Sequence, residues 1–199
     1  MPLITTQSAK GYGWSILQNV PGNYYSIAST NLSSSSSTIS FTSIPSTFDH
    51  LQIRGSLRGT VSGSQQTAAI RLNGDSGSNY SAHTLISKNN TPVSYQTGPF
   101  TMMEFYEIPG GGQASNVFGN VIIDILDYKN TNKNTVIKTT YAWDNNTTSV
   151  GGTLSATVSL FSGLWLNTAA VTSITLIEQS GTNSYATNTT WSLYGIKGV

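Results

Sequence analysis

The sequence predicts an all-β fold, a single-domain antiparallel β-sandwich of jelly-roll type with an extended N-terminal arm. Apolar and polar residues alternate with period two along several segments, which is the pattern of half-buried strands. Clusters of Gly, Asn, Asp, Ser and Pro separate these segments, as turns require. No segment carries the apolar stripe at i, i+3, i+4 and i+7 that an amphipathic helix needs.

The composition describes a neutral protein with a hydroxyl- and amide-rich surface. The 199 residues carry nine Lys and Arg against eight Asp and Glu, and no Cys. Ser, Thr and Asn occupy 29, 27 and 17 positions, and charged residues make up 9% of the chain, against about 25% in an average soluble domain. We therefore expect no nucleic-acid partner, because there is no excess of positive charge, and thiolate metal sites are excluded.

The clearest strand candidate is the segment 49–58. Leu51, Ile53 and Leu57 fall on one face of it, and Arg54 and Arg58 fall on the other, solvent-facing side. The segments 68–72, 154–160 and 170–176 alternate in the same way, so the apolar members of each are expected to face the core. The segment 121–126 is apolar on both faces apart from one aspartate, which predicts a central strand. Further strand candidates are 100–108 and 189–196, giving eight to ten strands.

The first 22 residues differ from the rest of the chain. They are rich in small and polar residues but include four large apolar ones, Tyr12, Trp14, Ile16 and Leu17. We interpret 1–22 as a docking arm whose large residues bind another subunit, and 23–199 as the β-sandwich domain. An edge strand packed on its own domain is the alternative. The start has no signal-peptide pattern, and the apolar runs are too short to span a bilayer, so no membrane contact is expected.

Few groups are available for catalysis, and we predict no catalytic residue. Asp49 and His50 are the only neighbouring acid–histidine pair, but adjacent strand residues point to opposite faces. A glycosidase is a third functional hypothesis, because Glu104 or Asp124 would serve if either faced another carboxylate across a cleft.

The segment NGDSGSNY at 73–80 is the densest polar cluster. Its side-chain oxygens suit calcium, but it lacks the length and the terminal glutamate of an EF-hand loop. We therefore prefer a tight hairpin turn, and expect no metal and no cofactor. Tyrosines and one tryptophan near predicted loops would either stack on sugars or close the ends of the core; they are Tyr24, Tyr25, Tyr95, Tyr106, Tyr128, Tyr141, Trp143 and Tyr185.

Several segments, taken in order, resemble a family of tailed-phage virion proteins that includes members from cyanophages and marine phages. They are FDHLQIRGSLR at 48–58, IRLNGDSGSNY at 70–80, GLW at 163–165, AVTSITL at 170–176 and WSLYGI at 191–196. The start, QSAKGYGW at 7–14, is similar to an N-terminal element of phage structural proteins with varied bodies. The resemblance implies a virion structural protein of jelly-roll type and implies no catalytic residues.

The sequence thus favours a capsid decoration or cement protein that binds the head exterior of a bacteriophage and stabilises the shell. Its expected partners are the major capsid protein or other virion proteins, together with itself as a dimer or trimer. Its expected location is the exterior surface of the virion. The alternative is a receptor- or glycan-binding module of a tail fibre or head appendage, with a host glycan as partner.

Overall fold

The computed structural model describes residues 23–89, 91–146 and 156–198. This part of the chain folds into two antiparallel sheets and contains no helix long and apolar enough to cross a membrane. The large sheet has eight strands: β1 (Tyr24–Asn31), β3 (His50–Leu57), β5 (Tyr80–Lys88), β6 (Thr91–Phe100), β8 (Gly119–Leu126), β9 (Thr135–Asp144), β10 (Ala156–Trp165) and β12 (Thr190–Ile196). The small sheet has four: β2 (Thr38–Phe41), β4 (Gln65–Leu72), β7 (Met103–Pro109) and β11 (Ile174–Glu178).

The strand order is β1-β12-β3-β8-β9-β10-β5-β6 in the large sheet and β2-β11-β4-β7 in the small one. The predicted all-β class and antiparallel β-sandwich are confirmed, while the jelly-roll connection pattern stays a prediction. The described residues hold twelve strands rather than the expected eight to ten. The predicted arm, 1–22, lies outside the described residues, and so do its residues Tyr12, Trp14, Ile16 and Leu17.

The core lies between the two sheets and is closed by aromatic residues. Leu51, Ile53 and Leu57 of β3 are fully buried, as their alternation predicted. Trp191 of β12 contacts the edge of Phe105 from β7, with ring centroids 6.3 Å apart. The same indole contacts Tyr185 at 5.9 Å. Since β12 and β7 belong to different sheets, Trp191 joins the two layers through edge-to-face contacts.

Strand β10 contradicts the expectation that its apolar residues face the core. Val158 and Leu160 are exposed, whereas Thr157 and Ser159 are buried. The buried hydroxyls of Thr157 and Ser159 have no hydrogen-bond partner within the described part of the chain. Period-two alternation fixes which residues share a face, but not which face the second sheet covers. The first half of β10 therefore turns its aliphatic residues to solvent, whereas Phe161 and Trp165 in the second half are buried in the core.

A β-bulge turns Glu107 into the sandwich. β4 and β7 change register between Gln66 and Ala68, and Glu107 has a positive φ of 75°. Its side chain is buried, with an ion pair to Lys88 of β5 and a hydrogen bond from Gln65 Nε2 at 3.3 Å. Bulges of this kind re-aim a side chain, which explains why strand alternation did not place Glu107.

The segment 73–80 begins with a tight turn, and the preference for a turn over a calcium loop agrees with its geometry. Asn73 and Gly74 have φ of 51° and 68°, and Asp75 N donates to Leu72 O at 2.9 Å. Positive φ at both central positions defines a type I′ turn, which explains the glycine. The expectation of a hairpin is wrong, because β4 and β5, which the turn connects, belong to different sheets.

Both oxygens of the Asp75 carboxylate accept hydrogen bonds from nearby groups of this chain. Oδ1 accepts from Gly77 N at 2.8 Å, and Oδ2 accepts from Asn79 Nδ2 at 2.9 Å and from Trp165 Nε1 at 2.7 Å. These hydrogen bonds, that of Trp165 first, hold the pKa of Asp75 below its usual range. The turn is therefore fixed to β10 through a charged acceptor.

We expect Asp75→Asn to remove an acid-sensitive part of the stability. A folded-state pKa below the unfolded value, about 3.9, stabilises the fold at pH values above that value. That contribution is lost as the pH falls through the folded-state pKa. Unfolding free energies measured by urea denaturation between pH 6 and pH 2.5 should therefore fall less steeply below about pH 4 in Asp75→Asn than in the wild type. Equal slopes in the two proteins would contradict the assignment.

Candidate binding face of the large sheet

The large sheet has an open face, which we define as the side turned away from the small sheet. Register places its residues in rows that run across the strands. In one row Ile122 of β8, Thr140 of β9, Leu160 of β10 and Leu85 of β5 are successive cross-strand partners. The next row places Ala142 of β9 opposite Val158 of β10. Residues from four strands thus form one continuous surface.

This surface is apolar and exposed. Leu85, Ile122, Val158 and Leu160 are 57%, 40%, 63% and 41% exposed. We call these four residues, together with Ala142, the apolar patch. Single exposed apolar residues are normal, but a contiguous group on one sheet face marks a binding surface.

Three adjoining shallow depressions lie along the apolar patch. The largest of the three by volume, of about 450 Å³, lies over β5, β6 and β10 between His83, Gln96 and Leu160. The second shares Leu85 and Leu160 with it, and the third shares Val158 and Thr140 with the second. The patch is therefore a shallow trough with a polar border, a shape suited to a broad partner.

A tyrosine–arginine cluster lies beside the apolar patch on the same face. The Arg54 guanidinium lies 5.6 Å from the ring centroids of both Tyr24 and Tyr194, within cation–π range. Arg54 Nε donates to Gln52 Oε1 at 2.8 Å, and Gln52 Nε2 donates to Asp124 Oδ1 at 2.7 Å. Gln52 is buried, so the aromatic rings and the Asp124 carboxylate are the groups of this cluster that suit a polyhydroxylated ligand.

A second polar cluster lies where β3 begins and β8 ends. Asp49 Oδ1 pairs with Lys129 at 3.0 Å, and Asp127 pairs with Lys133. His50 Nδ1 accepts a hydrogen bond from Asp127 N at 3.0 Å. The pKa of Asp49 is lowered by the Gly198 backbone amide and then Lys129, and that of Asp127 is lowered by Lys133. These are solvated ion pairs, whereas the general acid of a glycosidase needs a raised pKa.

The two carboxylates named for a glycosidase lie on opposite sides of the sandwich. Glu104 is on the outer side of the small sheet, between the inward-facing Met103 and Phe105, and Asp124 is on the open face of the large sheet, bonded to Gln52. They therefore do not face each other, and the hypothesis that one of them faces another carboxylate across a cleft stays a prediction. Among the described residues, no group of three or more acidic or histidine side chains could hold a metal ion.

Of the eight aromatic residues predicted near loops, six have described side chains, and four of these close the core instead of facing solvent. Tyr128, Tyr141, Trp143 and Tyr185 are buried, while Tyr24 is exposed. The side chains of Tyr95 and Tyr106 lie outside the described part. Sequence reasoning missed the apolar patch, since Val158 and Leu160 were assigned to the core and no strand was predicted over Leu85 or Ala142. It also missed the tyrosine–arginine cluster, since the three residues are far apart in the chain.

Comparisons with known proteins give no family for this chain. No protein-family model matches it, and no curated protein sequence matches it. A solved structure that is similar to it is the crystal structure of the Emp47p carbohydrate recognition domain. That domain is 10% identical in sequence over 90% of each chain, with a TM-score of 0.29. A likeness at that TM-score carries no functional assignment.

Proposed function

We propose that this protein is a bacteriophage virion structural protein, a decoration or cement protein that binds the head exterior and stabilises the shell. The observation that supports this best is the apolar patch. A sheet face that leaves four large aliphatic side chains exposed belongs to a protein that works by association. The resemblance of the segments 48–58, 70–80 and 191–196 to tailed-phage virion proteins supports a phage virion as the place where this association occurs.

In this proposal the arm, residues 1–22, attaches the sandwich to the capsid. An extended arm joins the edge of a neighbour's sheet through main-chain hydrogen bonds. Each bond contributes about 1 kcal/mol net, so attachment depends on several bonds and on repeated copies across the shell. Tyr12, Trp14, Ile16 and Leu17 would supply the side-chain contacts.

Co-sedimentation with phage heads that lack the protein tests this function. We expect the full chain to bind the heads in regular stoichiometry and to raise the temperature at which they release DNA. Deletion of residues 1–20 should abolish binding while the circular dichroism spectrum and the melting temperature of the sandwich stay unchanged. Full-length protein that does not bind heads would contradict the function, and truncated protein that still binds would contradict the role of the arm.

A second function, a receptor- or glycan-binding module of a tail fibre or head appendage, is favoured by the tyrosine–arginine cluster. Tyr24 and Tyr194 offer aromatic rings, and Asp124, which the buried Gln52 amide holds by a hydrogen bond, offers a carboxylate to sugar hydroxyls. Copy number in the particle separates the two functions. Hundreds of copies per virion favour decoration, whereas six to a few dozen, with binding on a glycan array, favour the appendage.

A further inference from the structure

We propose that the apolar patch is the contact surface for a second copy of this chain, which forms a two-fold homodimer with the open faces of the large sheets packed together. The proposal rests on the proposed function in one respect, because both treat the protein as one that works by association. It adds the partner that the patch binds.

The first observation is the orientation of β10, which lies between β9 and β5 in the large sheet. β10 turns Val158 and Leu160 outward, and the buried hydroxyls of Thr157 and Ser159 lack partners among the described residues. This orientation buries Phe161 and Trp165, but in an isolated sandwich it leaves Val158 and Leu160 in water. The arrangement becomes favourable when a partner covers Val158 and Leu160.

The size of the surface is the second observation. The patch and its trough cover β8, β9, β10, β5 and β6, five strands at spacings of about 4.8 Å, over up to five residues of strand length, as from His83 to Ser87 in β5. That is about 400 Å² per copy, so two copies bury about 800 Å² together, the size of a weak, reversible interface. Two sheets packed in this way would lie about 10 Å apart with interdigitated side chains.

The charges at the border fit a second copy. Asp124 of β8 and Lys138 of β9 are cross-strand partners next to the patch. A two-fold axis brings the same surface of both copies together, so one copy's Lys138 can approach the other's Asp124. Polar glycans would leave the aliphatic side chains of Leu85, Val158 and Leu160 without matching groups, which disfavours a sugar as the occupant.

Light scattering and sedimentation velocity of the purified chain test the proposal. We expect twice the chain mass of 21.2 kDa for the wild type, and a single-chain mass for Leu160→Glu. The buried, unpaired carboxylate should weaken the dimer by at least about 100-fold. Ser40→Glu adds the same charge to an exposed position of the small sheet and should remain dimeric. Circular dichroism should show both variants folded, since Leu160 and Ser40 are both exposed.

Thiol cross-linking locates the contact, because the chain has no cysteine of its own. Leu160→Cys should yield a covalent dimer with a short bismaleimide, which adds one thiol to each of its two maleimides, whereas Ser40→Cys should not. A single-chain mass for the wild type, a mass above two chains, or a dimer that persists in Leu160→Glu would overturn the proposal. Folded Leu160→Glu monomers should still bind phage heads through the arm, so failure of the dimer and failure of the capsid function are distinguishable.

Discussion

Replacing Arg58 by alanine is expected to lower the free energy of unfolding by about 3–4 kcal/mol, one of the two largest effects we predict. The Arg58 guanidinium is buried and donates to four backbone carbonyls of the segment that connects β7 to β8. Those carbonyls belong to Gly111, Gln113, Ala114 and Val117. Its loss would leave them without their shared donor, and buried carbonyls without donors cost free energy. Urea denaturation followed by tryptophan fluorescence measures the change.

Two further variants separate the geometry of Arg58 from its charge. Arg58→Lys keeps the positive charge but lacks the planar fork of donors, so it should recover less than half of the loss. Arg71→Ala removes a half-buried arginine with a hydrogen bond from Nε to Thr101 O at 3.2 Å, and should cost less than about 1 kcal/mol. If Arg58→Ala is no more destabilising than Arg71→Ala, Arg58 does not organise the β7–β8 connection.

The contacts of Arg58 could not be predicted from the sequence pattern around it. Alternation along 49–58 placed it with Arg54 on the solvent side, and Arg54 does lie exposed on the open face. β3, however, ends at Leu57, so Arg58 follows a different path and its side chain enters a loop contact. The residues it binds are more than 50 positions away, and no local pattern encodes such a contact.

The strands themselves were more predictable than their surroundings. β3 was identified because its alternation reflects burial that the sandwich does provide. The continuous apolarity of β8 also identified a strand, but Ile122 and Leu126 lie exposed on the open face instead of being buried. β10 was assigned the wrong inner face because Val158 and Leu160 are covered by no other element of the described chain, and a pattern of period two is unchanged when the faces are exchanged. The candidate site depends on that exchange. The sequence could not predict this site, because it does not tell which face of the large sheet the small sheet covers.

The second large effect is expected for Ile53→Ala, which should lower the free energy of unfolding by about 2–5 kcal/mol. Ile53 is fully buried at the middle of β3, and its strand is held between β12 and β8. Removing three carbons there loses the transfer free energy of the side chain and leaves a cavity that paired strands on both sides cannot close.

Leu166→Ala is the matched control for Ile53→Ala, because Leu166 is 59% exposed just after β10. Its truncation should change stability by no more than about 0.5 kcal/mol. The contrast between the two aliphatic positions tests the inside–outside assignment of the large sheet, and with it the exposure of the apolar patch. A negligible loss for Ile53→Ala would mean that the two faces of β3 are assigned backwards. The open face, which is defined by the same sheet, would then be the core.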